Sequence, residues 1–399
     1  MTAQGSCRLG VVASHPIQYF TPLYRRLAAT PGVHLEVLYC RDYGVREQYD
    51  KQFGRKVAWD TDQLSGYRHR FLRNLSPVSD TFNPLHAINP GVFFRALVSF
   101  DAIWVNGYTY PTNWIAAAGA AITGIPVLMR SELRIGVSSN GRSTLLREAI
   151  VRQWVRKSAA LLYIGEENRR AYLAYGAKPE KMFFSPYSTD VERFAVINRR
   201  DQNRNAILRE QWGLPRDKLI VLFVGKLYRK KHPESLLQLA VDATLRQKLH
   251  VAYAGTGAEE QALRDEANRQ GMENVSFLGF VNQSRLQDLY GAADIFVMPS
   301  EGETWGLVLN EAMAAGLPAV VSDTVGAATD LIAPGETGLL FRSGDWKEMK
   351  RQVTALVVDE ALRLRVAERG RERASLYSYD ATVGGILAAL QWLGVYARA

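Results

Sequence analysis

Cysteine is scarce in this chain, with only Cys7 and Cys40 among 399 residues. Two thiols cannot form a disulfide framework and show no metal-site spacing, so both are expected as buried free cysteines. No apolar run is long enough to span a membrane. The longest, residues 114–129, is broken by Gly119, Gly124 and Pro126 and reads as a helix feeding a strand. The first eight residues lack the apolar core of a secretory signal, so synthesis and folding in the cytosol are expected. Internal repeats and low-complexity tracts are also missing, which argues against a solenoid or a disordered chain. Basic residues are dispersed rather than interleaved with aromatics, and no nucleic-acid motif accompanies them.

What is present is an ordinary globular composition, 47% hydrophobic and 22% charged, on a chain longer than one core usually organises. Two domains are therefore expected. The net charge of +9 suits anionic partners such as nucleotide diphosphates or an anionic membrane face. Short β-branched runs alternate with helical patterns throughout, the signature of parallel sheets covered by helices. Strands are predicted at 9–13, 35–39, 102–105, 126–129, 160–164 and 182–184, then at 219–224, 250–254, 275–278, 295–298 and 319–322. Strand character lapses between Asp190 and Gly213, so the hinge is placed near Asn198. The fold class is α/β with two Rossmann-like domains. One covers 1–197 and is completed by 377–399; the other covers 198–376.

The stretch from Pro299 to Pro318 carries the most chemistry. Glu303 sits where a Ser/Gly/Glu-rich turn gives way to a helical apolar pattern, and Glu311 follows about two turns later, roughly 12 Å along a helix axis. A nucleotide-sugar has about that span. Ionised carboxylates accept hydrogen bonds only, so the first suits hexose hydroxyls and the second the two ribose hydroxyls. Backbone N–H groups of Thr304, Trp305, Gly306 and Leu307 suit the diphosphate between them. Alone, the pair would read as a capped helix with two solvated glutamates.

The residues around it change that balance. After the strand at 219–224 come Gly225-Lys226-Leu227-Tyr228-Arg229-Lys230-Lys231-His232-Pro233, with Lys226 and Lys231 placed to balance diphosphate charge and Arg229 and Lys230 read as a solvated turn. Ala254-Gly255-Thr256-Gly257 follows the next strand as a nucleotide-facing turn. Together these resemble the E-x7-E signature and the G-R-L-x-x-x-K-G loop of retaining glycosyltransferase family 4. That resemblance implies a GT-B fold, in which two Rossmann-like domains face a cleft and a C-terminal helix crosses back to the first. It also gives Phe280 and Val281 a place beside the nucleobase. The chain departs from the family in having Lys226 for arginine, His232 for glycine, Trp305 for phenylalanine, and Ala327 and Asp330 in the turn that opens with Gly326.

The first strand ends in Ser14-His15-Pro16-Ile17-Gln18-Tyr19-Phe20, which looks like a recurrent bacterial variant of the same family. His15 is expected at the strand end, able to orient a phosphate or an acceptor, with Gln18 nearby; a loop histidine bonding to backbone is the structural alternative. Asn106, Tyr108, Arg130 and Glu132 lie at the carboxyl ends of two further predicted strands, and are expected as acceptor or sugar contacts, with an Arg130–Glu132 ion pair as the structural alternative. Asp60-Thr61-Asp62 has the D-x-D spacing of metal-binding transferases but reads as a surface loop, so no catalytic metal is expected.

The resemblance implies a cytoplasmic, metal-independent retaining hexosyltransferase that uses a nucleotide diphosphate sugar, UDP-sugar foremost, as co-substrate with no resident cofactor. Its partner is a hydroxyl acceptor on a glycan, lipid or small molecule, and weak peripheral contact with an anionic inner membrane face is left open. A nucleotide-sugar 2-epimerase and a catalytically silent sugar-nucleotide-binding subunit remain the alternatives.

Overall fold

The computed structural model describes residues 5–45, 47–50, 54–78, 83–135, 142–197 and 202–397. The chain begins with β1 (Cys7–Ala13) and β2 (Val33–Tyr39), then a short antiparallel hairpin of β3 (Gln48–Asp50) and β4 (Arg55–Val57). Next come β5 (Arg68–Phe71), β6 (Ala102–Asn106), β7 (Val127–Arg130), β8 (Ala160–Tyr163) and β9 (Met182–Phe184). The later strands are β10 (Leu219–Val224), β11 (Leu249–Ala254), β12 (Val275–Gly279), β13 (Ile295–Met298), β14 (Ala319–Ser322) and β15 (Leu339–Phe341).

They form two parallel sheets. The seven-stranded sheet has the order β5-β2-β1-β6-β7-β8-β9, and the six-stranded sheet β12-β11-β10-β13-β14-β15. Strands such as Leu219–Val224 are near-continuous apolar runs because helices cover both faces. In each sheet the strand order reverses once, between β1 and β6 and between β10 and β13. Those reversals open a crevice at the carboxyl ends, where α/β sheets bind ligands.

The chain divides into two compact units. Unit 1 comprises Met1–Arg46, Asp62–Tyr187 and Tyr379–Ala399, and unit 2 comprises Glu47–Thr61 and Ser188–Ser378. The hinge expected near Asn198 lies outside the described residues. Placement of Glu47–Thr61 with unit 2 departs from the expectation that 1–197 stays together.

Unit 1 is completed by the last helix, Tyr379–Trp392, whose Tyr379, Val383, Ile386, Ala389 and Leu390 join the core beneath β1 and β2. Gly385 allows the closest approach, since a Cβ there would stand 1.8 Å from the Phe184 carbonyl oxygen. Thr382 adds a hydroxyl bond to the Pro186 carbonyl at 2.8 Å. Cys7 and Cys40 are free and buried, with burial pushing both thiols up to about 12. Among the described residues, no helix is long and apolar enough to cross a membrane.

Candidate active site

In unit 2 the strand-order reversal places the loop after β10 beside the loop after β13. A backbone bond from Glu301 N–H to the Lys230 carbonyl, 2.7 Å, stitches the two together. Across that seam the Lys231 ammonium donates to Glu303, both side chains being largely buried. Lys226 leaves the same loop and donates to Asp50 at 3.1 and 3.3 Å. Arg229 and Lys230 are exposed. Tyr228, which the sequence did not single out, lies close enough to Glu303 that its phenol is raised, first by burial and then by that carboxylate's charge.

His232 occupies the left-handed backbone region, with φ of 46°. The resemblance has glycine there, and histidine is among the few side chains that tolerate it. Its ring spans from Glu234 at 2.9 Å to Glu301 at 3.4 Å, holding the cationic turn against the acidic loop.

The Gly255-Thr256-Gly257 turn serves this loop. Gly225 N–H donates to the Ala254 carbonyl and Leu227 N–H to the Thr256 carbonyl, both at 2.9 Å. A Cβ on Gly255 would fall 1.8 Å from the Gly225 carbonyl oxygen, so the two turns touch only because that position is glycine. Phe280 and Val281 follow β12, half-buried; the Arg55 guanidinium lies 5.1 Å above the Phe280 ring and Trp59 sits 6.1 Å from it.

The helix carrying Glu311 runs from Leu307 to Ala314, with Gly306 at its N-cap in a left-handed conformation, φ 99°. The N–H groups at the start of such a helix have no intrahelical acceptor, which leaves Leu307 and Val308 aimed at the crevice end. Glu303, Thr304 and Trp305 precede the helix in a loop held from behind. Gly326 N–H donates to the Glu303 carbonyl and Ala327 N–H to the Trp305 carbonyl, each at 2.9 Å. The Trp305 indole points inward, bonding Asn310 at 3.0 Å, so its side chain shapes the loop's support rather than a sugar pocket. Glu311 is buried, and Tyr290 donates its hydroxyl to it at 2.9 Å. Tyr290 was legible only as an apolar-face residue, at helical spacing from Leu286.

In unit 1, His15 follows β1 at the first reversal, 3.0 Å from the Ser14 hydroxyl and edge-on to Tyr43. Burial, with a smaller push from His86, brings its pKa down to about 4, so it offers a neutral ring at pH 7. His250 is likewise brought down to about 4, by burial and then by Lys218. Both folded values lie below the ordinary 6.5, so the unfolded chain binds more protons. Their contribution to stability is present above about pH 6.5 and lost as pH falls toward about 4. The urea midpoint is expected to drop over that window. His250→Gln should flatten the drop, each histidine steepening it by at most about 1.4 kcal/mol per pH unit.

Gln18 is half-buried, and Asn106 ends β6 with its amide donating to the Val12 carbonyl at 3.2 Å. Tyr108 accepts from Arg147 through its hydroxyl at 3.2 Å. Arg130 ends β7. It is buried, donates to the Ser185 and Pro186 carbonyls at 3.3 and 3.0 Å, and lies 4.6 Å over the Tyr187 ring. It thus secures the 185–187 segment that follows β9, while Glu132 accepts from the Tyr187 hydroxyl. Asp60 bonds Ser284, and Asp62 accepts the N–H groups of Leu64 and Ser65 in its own turn, where the Ser65 hydroxyl chiefly holds its pKa down to about 2. Among the described residues, no group of three or more His, Cys, Asp or Glu side chains is placed to hold a metal ion.

Two parallel Rossmann-like sheets in one chain, completed by a returning C-terminal helix, define the GT-B class of fold. Solved structures share it: the Anabaena protein HepE in complex with UDP (TM-score 0.74, 17% identity, 96% of this chain and 99% of that one), and sucrose-phosphate synthase from Thermosynechococcus elongatus (TM-score 0.71, 20% identity, 98% and 100%). Residues 205–373 match the family model described as glycosyl transferases group 1. D-inositol 3-phosphate glycosyltransferase 2 of Catenulispora acidiphila is 36% identical over 220 residues, covering 52% of this chain and 50% of the relative. The counterpart from Geodermatophilus obscurus is 32% identical over 235 residues, covering 56% and 50%. The chain spans about half the length of these curated relatives.

Proposed function

We propose that this chain is a hexosyltransferase that moves a sugar from a nucleotide diphosphate donor, UDP-sugar foremost, to a hydroxyl acceptor. The observation that carries the reading is the joining of Lys231 to Glu303, with Lys226 on the same loop, at the β10/β13 reversal. Two cations and a helix start at one crevice suit a diphosphate, and the carboxylates suit sugar hydroxyls. The match of 205–373 to group 1 glycosyl transferases covers that region, and a solved HepE structure holds UDP and glucose.

In the assigned roles, Glu311 takes the ribose, Phe280 and Val281 the base, and Glu303 the hexose. Lys226, Lys231 and the N–H groups of Thr304 to Leu307 hold the diphosphate, with Gly255 supporting their loop. His15, Gln18 and Asn106 serve the acceptor or sugar. Retention follows if the acceptor oxygen bonds to C1 on the face the diphosphate leaves: the C1–O bond to phosphate breaks, the acceptor O–C1 bond forms, and the acceptor proton passes to the departing phosphate oxygen. Lysines and N–H groups supply the charge balance, so no metal step is assigned.

The experiment is free UDP release from UDP-hexoses with and without acceptors, beginning with the D-inositol 3-phosphate that the relatives' names contain. Release that requires an acceptor and survives EDTA is expected. Epimerised donor without release would favour the 2-epimerase, and donor binding without turnover a silent subunit. Peripheral contact with an anionic membrane is a subsidiary proposal. It is supported by exposed Leu145 and Leu146 on a helix that also carries Arg147 and Arg152, and flotation with anionic vesicles tests it.

A further inference from the structure

The segment Glu47–Thr61 belongs to unit 2, although the chain on either side of it builds unit 1. It is anchored there by specific contacts. The Asn282 amide donates to the Ala58 carbonyl at 2.9 Å, and the Asp60 carboxylate takes the Ser284 N–H at 3.3 Å together with its hydroxyl. Arg55 and Trp59 lie against Phe280, the residue assigned to the nucleobase. At the end of β3, so held, Asp50 sets its carboxylate on the Lys226 ammonium at 3.1 Å, with side chains 19% and 25% exposed.

From this geometry we propose that Asp50 is a resident competitor of the donor diphosphate at Lys226, so that the β3–β4 segment sets donor affinity. The inference rests on the functional reading above. A lysine ammonium is a compact point charge, and a carboxylate at hydrogen-bond distance takes up donor capacity and charge that a phosphate oxygen would use. A diphosphate arriving at Lys226 therefore meets an acidic group of like charge and either displaces it or shares the cation with it. Both routes weaken nucleotide binding relative to an unencumbered lysine. An aspartate that merely aims Lys226 at the phosphates would have the opposite effect, because its loss would misplace the cation and weaken binding.

The sign of the change in UDP affinity separates the two. Calorimetric titration of UDP into the whole chain is compared for wild type, Asp50→Asn, Asp50→Ala, Lys226→Ala and the Asp50→Asn/Lys226→Ala double variant. The Asp50 variants are expected to bind UDP about fivefold more tightly, the scale of one partly exposed ion pair. The gain is expected to vanish when Lys226 is already absent. Unchanged or weaker UDP binding in Asp50→Asn, the isosteric variant, with a wild-type melting temperature, would overturn this inference alone. So would tightening that persists without Lys226. A wild type that binds none of UDP, GDP and ADP would instead overturn the functional reading, and this inference with it.

Discussion

Lys231→Ala is expected to lower kcat about a hundred- to a thousandfold while changing the donor KM much less, the signature of an interaction that strengthens as the transition state forms. Lys231 is assigned to the charge that builds on the leaving diphosphate, and its ammonium is already oriented by Glu303 across the β10/β13 reversal. Truncation removes the cation and also this one of Glu303's contacts, so the carboxylate assigned to the hexose is held less firmly. Lys231→Arg keeps the charge and should recover part of the loss. A KM-only effect in the alanine variant would assign Lys231 to ground-state binding instead. The measurement is steady-state UDP release at saturating acceptor.

The second large effect is expected at a residue to which no substrate contact is assigned. Gly326 lies behind the Glu303-Thr304-Trp305 loop, and a Cβ there would fall 2.0 Å from the Thr304 carbonyl oxygen. Backbone cannot yield as a flexible side chain can, so Gly326→Ala must push the loop toward the crevice and break the 2.9 Å bond from Gly326 N–H to the Glu303 carbonyl. A displacement of about an ångström at a reacting centre costs on the order of a hundredfold in rate. The overpacking itself costs about 1–3 kcal/mol. Turnover should therefore fall steeply with a modest drop in melting temperature and an unchanged far-UV spectrum. Full activity would show that the loop's position is not what Gly326 secures.

Much of this was legible from residue order alone, because short apolar runs such as 219–224 and 295–298, too short for a helix and rich in β-branched residues, read as strands buried on both faces. The strands that escaped are those without that signal. β3, Gln-Tyr-Asp, and β4, Arg-Lys-Val, are short and polar, β5, Arg-His-Arg-Phe, is an exposed edge, and β15 is three residues long. Within the site, Lys226, Lys231, Glu303 and Glu311 stood out by spacing and resemblance, yet the partners of Lys226 and Glu311 did not. Tyr290 reads as one more core position of an amphipathic helix, and Asp50 is separated from Lys226 by most of unit 1. Arg130 shows the converse. A basic residue at a strand's carboxyl end reads as crevice-facing, but here aromatic rings and the carbonyls of Ser185 and Pro186 draw it into the interior. Trp305 similarly turns inward because Asn310 offers its indole N–H an acceptor.

The central claim is that a nucleotide diphosphate binds unit 2 at the β10/β13 reversal. Hydrogen–deuterium exchange with and without saturating UDP tests it most directly. Slowed exchange is predicted in peptides covering 225–232 and 300–311, with a smaller effect at 279–281. Bound UDP that leaves those peptides unchanged, or that protects only peptides of unit 1, would contradict it.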